Sequence, residues 1–397
     1  MQHTAVCGAP GTAKADALAT LVQADIAAGC GLLQVDFDGD ATKLLLASTP
    51  ASRTNDVVLI DLADVDYPAA INPLAIGDDS LKAMAADNLV DTIRAIAGYD
   101  TMATPDMDRT IYNSARAVFD LRGGTILDLY KMLVDDETRE RVVQATSDPI
   151  IAGYWREQFA RLDPRDQAFV TKSTINKLEP FVADARVRNV LCQHKPLIDL
   201  GAALAQRKII CISIPLSIFG VTKARLLGGL LLSPVIATLQ RRRGLLPLHV
   251  HLPNARYIPP AMLQSMLATL GARNVSLNLG FQYLNELGSS RDPIIGGVGN
   301  WLIGRMGLQD AETLEMMFPW DNTTAKIHEL NAAELHLIRP GVRPLKSVTV
   351  IGNLNNQNHS ATIVKRCRHF YCRPRDEVEA ALAAKLRGTH ESRHQTG

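Results

Sequence analysis

Gly8-Ala9-Pro10-Gly11-Thr12-Ala13-Lys14-Ala15 decides the fold. It lies between a short β-prone run at residues 3–7 (HTAVC) and residues 14–28, where Leu18, Leu21, Val22 and Ile26 recur at helical spacing. A strand, a glycine turn and a helix in that order are the setting of a phosphate-binding loop. The working pattern is G-x-x-x-x-G-K-[ST]: glycines let the backbone wrap the phosphates, the lysine reaches the outer phosphates and the hydroxyl holds Mg²⁺. Here Gly8 and Lys14 stand, with Gly11 and Thr12 between them, but the final glycine is Ala13 and the hydroxyl is replaced by Ala15. A helix N-terminus still offers N–H groups to an anion. Weak ATP binding is therefore expected at Gly8, Gly11, Thr12, Ala13, Lys14 and Ala15, without a placed Mg²⁺. Any strand-to-helix turn of an α/β fold can carry Gly and Pro, and the loop alone leaves that alternative open.

Outward from the loop, a second unit of the same kind follows. Residues 31–35 form an apolar strand closed by Asp36-Phe37-Asp38-Gly39-Asp40, residues 41–47 a helix, and residues 56–60 (DVVLI) a buried strand ending in Asp61. Such alternation predicts a parallel sheet. From about residue 78 to 192 only helical periodicity remains, at 81–97, 108–121, 126–133, 149–161 and 167–181, with Pro, Gly and Asp as breaks. The alternation returns with a strand at 208–214, a long helix at about 223–243, strands at 247–252 and 275–279 flanking a helix near 260–270, and a strand near 301–306. The expected fold class is α/β, a mostly parallel sheet flanked by helices and interrupted by an all-helical insertion. Residues 1–77 and 200–372 form the α/β domain and 78–199 the insertion. Residues 373–397 are expected to hold a C-terminal helix (376–386) and a mobile polar end, GTHESRHQTG.

At 397 residues the chain can bury a sizeable core. Its 42 Lys and Arg nearly cancel 41 Asp and Glu, so no global field draws it to nucleic acid and any DNA contact rests on a local patch. Arg241-Arg242-Arg243 and Lys365-Arg366-Cys367-Arg368-His369 are two such patches, although runs of this length are common as solvated helix ends. Six cysteines scattered through apolar runs read as reduced thiols, hence a cytoplasmic chain. Cys367, His369 and Cys372 make half a zinc pattern without a second ligand pair, and His249 and His251 share one strand face with no third ligand in sight. No metal site is expected. The opening residues lack a basic region leading into an apolar core, and the longest apolar stretch, 226–239, falls short of the roughly 20 residues a bilayer needs, so no membrane segment is expected.

Six segments then follow in an idiosyncratic order: the altered loop, VDFDGD at 35–40, DVVLIDLADVDYPAAINPL at 56–74, SDPIIAGYWREQFARL at 147–162, VSLNLGFQYLNEL at 275–287 and GGVGNWLIGRMGLQD at 296–310. Over most of residues 3–340 this order resembles the HerA/FtsK-like P-loop ATPases of conjugation, the TraG/TraD-type coupling proteins of type IV secretion and their DUF87-like relatives. The resemblance implies a RecA/FtsK-like P-loop NTPase fold, a homo- or hetero-oligomeric, hexameric ring, DNA as cargo and type IV secretion components as partners. It makes Gln282 the nucleotide-sensing glutamine and Arg305 a finger reaching into a neighbouring subunit, where an arginine stabilises phosphoryl-transfer charge. A packing or surface arginine is the alternative at 305. Relatives also end one strand in Asp-Glu, the acids that order Mg²⁺ and the attacking water. The matching strand here, Leu248-His249-Val250-His251-Leu252, is followed by Pro253-Asn254. Loss of a positioned base costs about 10²–10⁴-fold, and the metal clamp is lost with it. The likeness begins at the first strand, so the barrel or membrane anchor that precedes it in many relatives is not expected.

Three functions stay open on the sequence. The first is a non-catalytic relative of DNA-translocating ATPases that binds DNA or completes a ring. The second is a low-rate Mg²⁺-dependent ATPase driving DNA translocation, with Asp36, Asp40 or Asp61, all at strand ends where α/β folds place ligands, standing in for the missing acids. The third is an eroded copy carried by a mobile element.

Overall fold

The strands that form the middle of the sheet are buried on both faces, as helices on either side demand, although one face carries the polar Gln34, His251, Ser276 and Asn278. Gly31–Asp36, Ile209–Ser213 and Val275–Phe281 are buried at every position. The computed structural model describes residues 1–96, 105–243, 246–318, 326–339, 346–349 and 358–391. Its strands are β1 (His3–Cys7), β2 (Gly31–Asp36), β3 (Val57–Asp61), β4 (Ile209–Ser213), β5 (Leu248–Leu252), β6 (Val275–Phe281), β7 (Val298–Gly304), β8 (Glu334–Ile338) and β9 (Lys346–Thr349). They form one sheet in the order β3-β4-β2-β5-β6-β1-β7-β8-β9. The pairs β2–β4, β2–β5, β5–β6, β1–β6 and β1–β7 are parallel. The pairs β7–β8 and β8–β9 are antiparallel and extend one edge, an extension that the sequence reading lacks. Because the inner strands are parallel, the residues that follow β1, β2, β5 and β6 emerge at one edge, where such sheets place ligands.

Two helices cross back from the first strands. α1 (Lys14–Ala27) buries Ala17, Leu18, Val22 and Ile26, and α2 (Asp40–Ser48) buries Leu45 and Leu46. Val6, Ala13, Ala17, Leu18 and Leu335 form a single buried cluster beneath α1. Burying a leucine such as Leu18 stabilises by about 1.5–3 kcal/mol.

Packing divides the chain into two compact units. One comprises Met1–Ile60, Leu200–Ala224 and Leu239–Cys367, and the other Asp61–Asp199, Arg225–Thr238 and Arg368–Gly397. In the second, α3 (Asp79–Ile96), α4 (Pro105–Asp120), α5 (Ile126–Val134), α6 (Asp136–Ala145), α7 (Pro149–Gly153), α8 (Pro164–Ala183) and α9 (Ala185–Leu191) follow in turn. The sequence reading of one helix at 149–161 is corrected: α7 ends at Gly153 and continues as a π-helix over Tyr154–Phe159. That wider turn carries buried Trp155, whose Nε1–H donates to the Asn113 carbonyl at 3.3 Å. Helix α6 was absent from the sequence reading because DETRERVVQA has no apolar period. It starts instead from a cap, with Asp135 accepting from Thr138 N at 3.0 Å.

This unit begins at Asp61 and takes up the C-terminal residues, where the sequence reading had put its start at 78 and a separate tail after 372. Residues 61–77 leave the sheet and bond to the C-terminal segment: Ala70 N to Tyr371 O at 2.8 Å, Arg375 N to Asp66 O at 2.9 Å and Arg368 Nε to Asp64 Oδ2 at 2.7 Å. The remaining helices are α10 (Leu200–Ala205), α11 (Leu216–Arg241), α12 (Pro260–Thr269), α13 (Arg291–Gly297), α14 (Leu308–Met317), α15 (Ser360–Tyr371) and α16 (Arg375–Glu391). α16 docks on its own unit through Asn189 Nδ2 to Glu379 Oε1 at 3.1 Å and Lys385 Nζ to Asp128 Oδ2 at 2.6 Å. The end of the expected mobile tail, 392–397, and Ala97 of the expected helix 81–97 lie outside the described residues.

α11 corrects the expectation that no segment is long enough for a bilayer. It runs for 26 residues, through a kink at Gly220 (φ 70°), and is long and apolar enough to cross a membrane by length and composition. Of its apolar stretch 56% is buried inside the protein, as in the core helix of a globular chain.

Candidate functional site

The loop after β1 is shaped by two glycines. Gly11 holds a left-handed φ of 78°, and a Cβ on Gly8 would stand 2.7 Å from Thr12 Oγ1. The two glycines allow a tight turn, and three of its N–H groups are taken. Ala9 N donates to Arg305 O at 2.9 Å, Thr12 N to Ala9 O at 3.3 Å and Ala13 N to Ala332 O at 2.8 Å. Thr12 Oγ1 closes the turn on the Ala9 carbonyl at 2.8 Å. These bonds narrow the expectation that the helix start offers N–H groups to an anion: at Ala9, Thr12 and Ala13 a protein carbonyl already fills the place.

Lys14, Ala15, Pro253, Asn254 and Gln282, widely separated in sequence, line one cleft of about 180 Å³. α1 and α2 supply apolar walls, and Asp36, Asp38 and Asp40 line it as well. Burial is the main effect on the Lys14 ammonium and holds it below the ordinary lysine value, opposed by the charges of Glu286 and Asp38. At the end of β5, Asn254 uses its amide to bridge the cleft: Nδ2 donates to Asp38 Oδ2 at 2.8 Å, and Oδ1 faces Phe37 N at 3.5 Å. A carboxamide neither accepts a proton at neutral pH nor holds a divalent ion as a carboxylate does. Close approach of Pro253 to β6 depends on Gly280, where a Cβ would stand 2.4 Å from the Pro253 carbonyl oxygen.

The aspartates named as stand-ins for the missing acids divide. Asp36 is 1% exposed, and its carboxylate accepts from Asp38 N (3.0 Å), Thr42 N (2.7 Å) and Thr42 Oγ1 (2.8 Å). Through Thr42 it holds the start of α2 and is committed to these bonds. Asp40 lies on the surface paired with Lys43 at 2.9 Å. Asp61 turns back on its own chain, accepting from Ala63 N at 3.0 Å, and does not line the cleft. Gln282 is half-buried on the cleft wall, with its N–H on the Glu286 carboxylate. The side chain of Arg305 is exposed and lines no part of the cleft.

Glu286 and Arg256 were absent from the sequence reading, which named His251 but not its partner. Glu286 is buried and pairs with Arg256 at 2.9 Å, and the Arg256 guanidinium stacks over Tyr257 at 4.5 Å. His251, fully buried, lines the cleft and holds Asp25 Oδ2 through Nε2 at 2.8 Å. No local pattern announces these pairs, because their members come from different strands and helices. Of the basic patches, Arg242 is tied to the carbonyls of Arg273 (3.2 Å) and Leu246, Arg366 to Val57 O at 3.2 Å and Arg368 to Asp64. Cys367, half of the rejected zinc pattern, is buried with its Sγ on Val57 O at 3.4 Å.

No family model matches the chain, and no curated protein matches it in sequence. Its fold does have solved counterparts. Plasmid coupling protein TrwB in complex with the GTP analogue GDPNP superposes with a TM-score of 0.66 at 14% identity, over 90% of this chain and 87% of that one. TrwB in complex with ADP and Mg²⁺ gives 0.66 at 13% identity over the same shares. VirB4 of Thermoanaerobacter pseudethanolicus gives 0.58 at 14% identity, over 87% of this chain and 88% of that one. The chain therefore has the P-loop NTPase fold of the conjugative coupling protein, as the resemblance implied.

Proposed function

We propose that this chain is a pseudo-ATPase of the conjugative coupling fold: it keeps the nucleotide cleft, binds ATP weakly without Mg²⁺, and serves as a cytoplasmic DNA-binding or ring-completing subunit of a type IV secretion apparatus. One observation carries the reading. The N–H of Ala13, at the position of the final loop glycine, is bonded to the Ala332 carbonyl. The other losses agree with it. Ala15 has no hydroxyl for Mg²⁺, and the place of the base is held by Asn254, engaged with Asp38. Solved relatives of the same fold hold GDPNP, or ADP with Mg²⁺, which supports the cleft as the nucleotide site. Arg305, exposed at the end of β7, is available to a neighbouring subunit.

A calorimetric titration of ATP into the purified protein, with and without Mg²⁺, tests the reading. The expected result is weak binding that Mg²⁺ leaves unchanged. A tenfold or greater tightening by Mg²⁺ contradicts it. DNA retention through exposed Arg241 and Arg243 is expected to fall steeply between about 50 and 200 mM salt. Salt-independent retention, or none at low salt, excludes the DNA role.

The second reading, a slow ATPase, has one observation in its favour: Asp38 and Asp40 line the same cleft as Lys14. It requires Mg²⁺-dependent hydrolysis that Lys14→Ala abolishes.

A further inference from the structure

We propose that Asp25, Cys30 and His249 form a transition-metal site of the kind that takes Zn²⁺, at the end of α1 remote from the phosphate loop. The backbone builds it. α1 ends in a left-handed Gly29 (φ 71°), with Gly29 N bonded to Ile26 O at 3.1 Å and Cys30 N to Asp25 O at 2.9 Å. This paired closure brings together the side chains three residues before and two after the C-cap Ala28, positions that an apolar pair commonly fills. Here they are a carboxylate and a thiol. β2 starts at the next residue, Gly31, and pairs in parallel with β5, so that Leu32 lies beside His249. The sheet register thus delivers an imidazole to the helix end.

The ligand atoms of Asp25, Cys30 and His249 all lie within 4.8 Å of one another, and Asp25 Oδ2 is 3.5 Å from His249 Nδ1. Atoms bonded at about 2.0–2.3 Å to one tetrahedral ion stand roughly 3.3–3.8 Å apart, so small side-chain rotations close the set. Thiolate, imidazole and carboxylate together select Zn²⁺ or Co²⁺ over Mg²⁺ and Ca²⁺, which prefer oxygen. All three residues are half-buried and reachable from solvent. One supporting contact holds the carboxylate in place, His251 Nε2 at 2.8 Å from Asp25 Oδ2, whereas Ser276 Oγ, 2.7 Å from His249 Nδ1, occupies the nitrogen nearest Asp25 and would be displaced by an ion there. Next to His251, Asn278 Nδ2 lies 3.3 Å from Nδ1. With three protein ligands, a fourth position is left to water. Such an ion would clamp the end of α1 to β5, the strand that leads to Pro253 and Asn254.

Titration of the full chain with Co²⁺, read by absorption, tests the site. The expected result is one equivalent bound with tetrahedral d–d bands and a thiolate-to-cobalt charge-transfer band, both erased by added Zn²⁺. Cys30→Ser should remove the charge-transfer band, and His249→Gln should weaken binding by at least about 10-fold. Should Cys30→Ser fail to fold, Asp25→Asn serves instead, retaining the thiolate band with the affinity lowered to a similar degree. A His390→Gln, His394→Gln double variant should bind as the native chain does. No band with Co²⁺, a band that survives Cys30→Ser, or binding lost with His390 and His394 overturns the proposal.

Discussion

His3 shows how one buried side chain fixes both its tautomer and a pH dependence. Nδ1 accepts from Leu277 N–H at 3.1 Å, so Nε2 carries the hydrogen directed at the Leu267 carbonyl, 3.2 Å away. A second proton has no place to sit. Burial, the largest effect, lowers its pKa, while the Leu267 carbonyl opposes this. A lowered folded value means that the unfolded chain binds the proton more readily. The contribution of His3 to stability is therefore complete above the unfolded value of about 6.5 and is lost as pH falls toward the folded one. In denaturant unfolding followed between about pH 8 and pH 5, His3→Leu is expected to cost about 1–3 kcal/mol at pH 8, because Leu277 N–H loses its partner, and to flatten the slope below pH 6.5. Asp36 carries the same lesson about function. From sequence it is a strand-end carboxylate suited to a metal, but three hydrogen bonds from Asp38 and Thr42 make it a helix cap. The residues that satisfy a carboxylate are not written beside it in any pattern.

Among the elements, those with apolar residues at least at every second position were legible and those fixed by partners were not. β2, β4 and β6 are buried at every position, so their sequences announce them. β8 (ELHLI) is short and mixes buried with half-buried positions in no regular alternation, and it is a strand because β7 and β9 flank it. The segment before β8 also supplies Ala332, whose carbonyl occupies the Ala13 N–H, so the edge that was missed is the one that closes the loop. The junction of β5 and β6 makes a sharper demand. Gly280→Ala would drive a methyl into the Pro253 carbonyl and Leu18, and overpacking of this kind costs about 1–3 kcal/mol. The thermal midpoint should fall, and the Asn254–Asp38 bond should loosen with the displaced Pro253. An unchanged midpoint would show that the approach of β5 to β6 is not close.

At the scale of the whole molecule, the two units hold their charges differently. In the helical unit, Lys82 and Asp120 form an ion pair whose side chains are 11% and 8% exposed. Burial alone would raise the Asp120 carboxyl, but Lys82 and the N–H and hydroxyl of Ser147 override it and hold the group below its ordinary value. The sign here is that of a depressed acid: the stabilisation is present above the unfolded value of about 3.9 and is lost as pH falls through the folded one. Lys82→Met strands the carboxylate and is expected to cost about 3–5 kcal/mol near neutral pH, with a smaller deficit at pH 3, read by circular dichroism on the full chain. An equal deficit at both values would mean that the pair contributes no charge interaction. In the sheet unit the cleft is lined by Lys14 and Asp38, with Asn254 bonded to Asp38. Order along the chain made that cleft legible, because Lys14, Pro253 and Gln282 each follow a recognisable strand. Its closure was not, because Ala332, Asp38 and Glu286 act through distant contacts. The most direct test is steady-state hydrolysis of ATP with Mg²⁺ by the unaltered protein beside its Lys14→Ala variant. The account predicts the same background rate for both, whereas turnover on the order of 1 s⁻¹ or more that Lys14→Ala abolishes would contradict it.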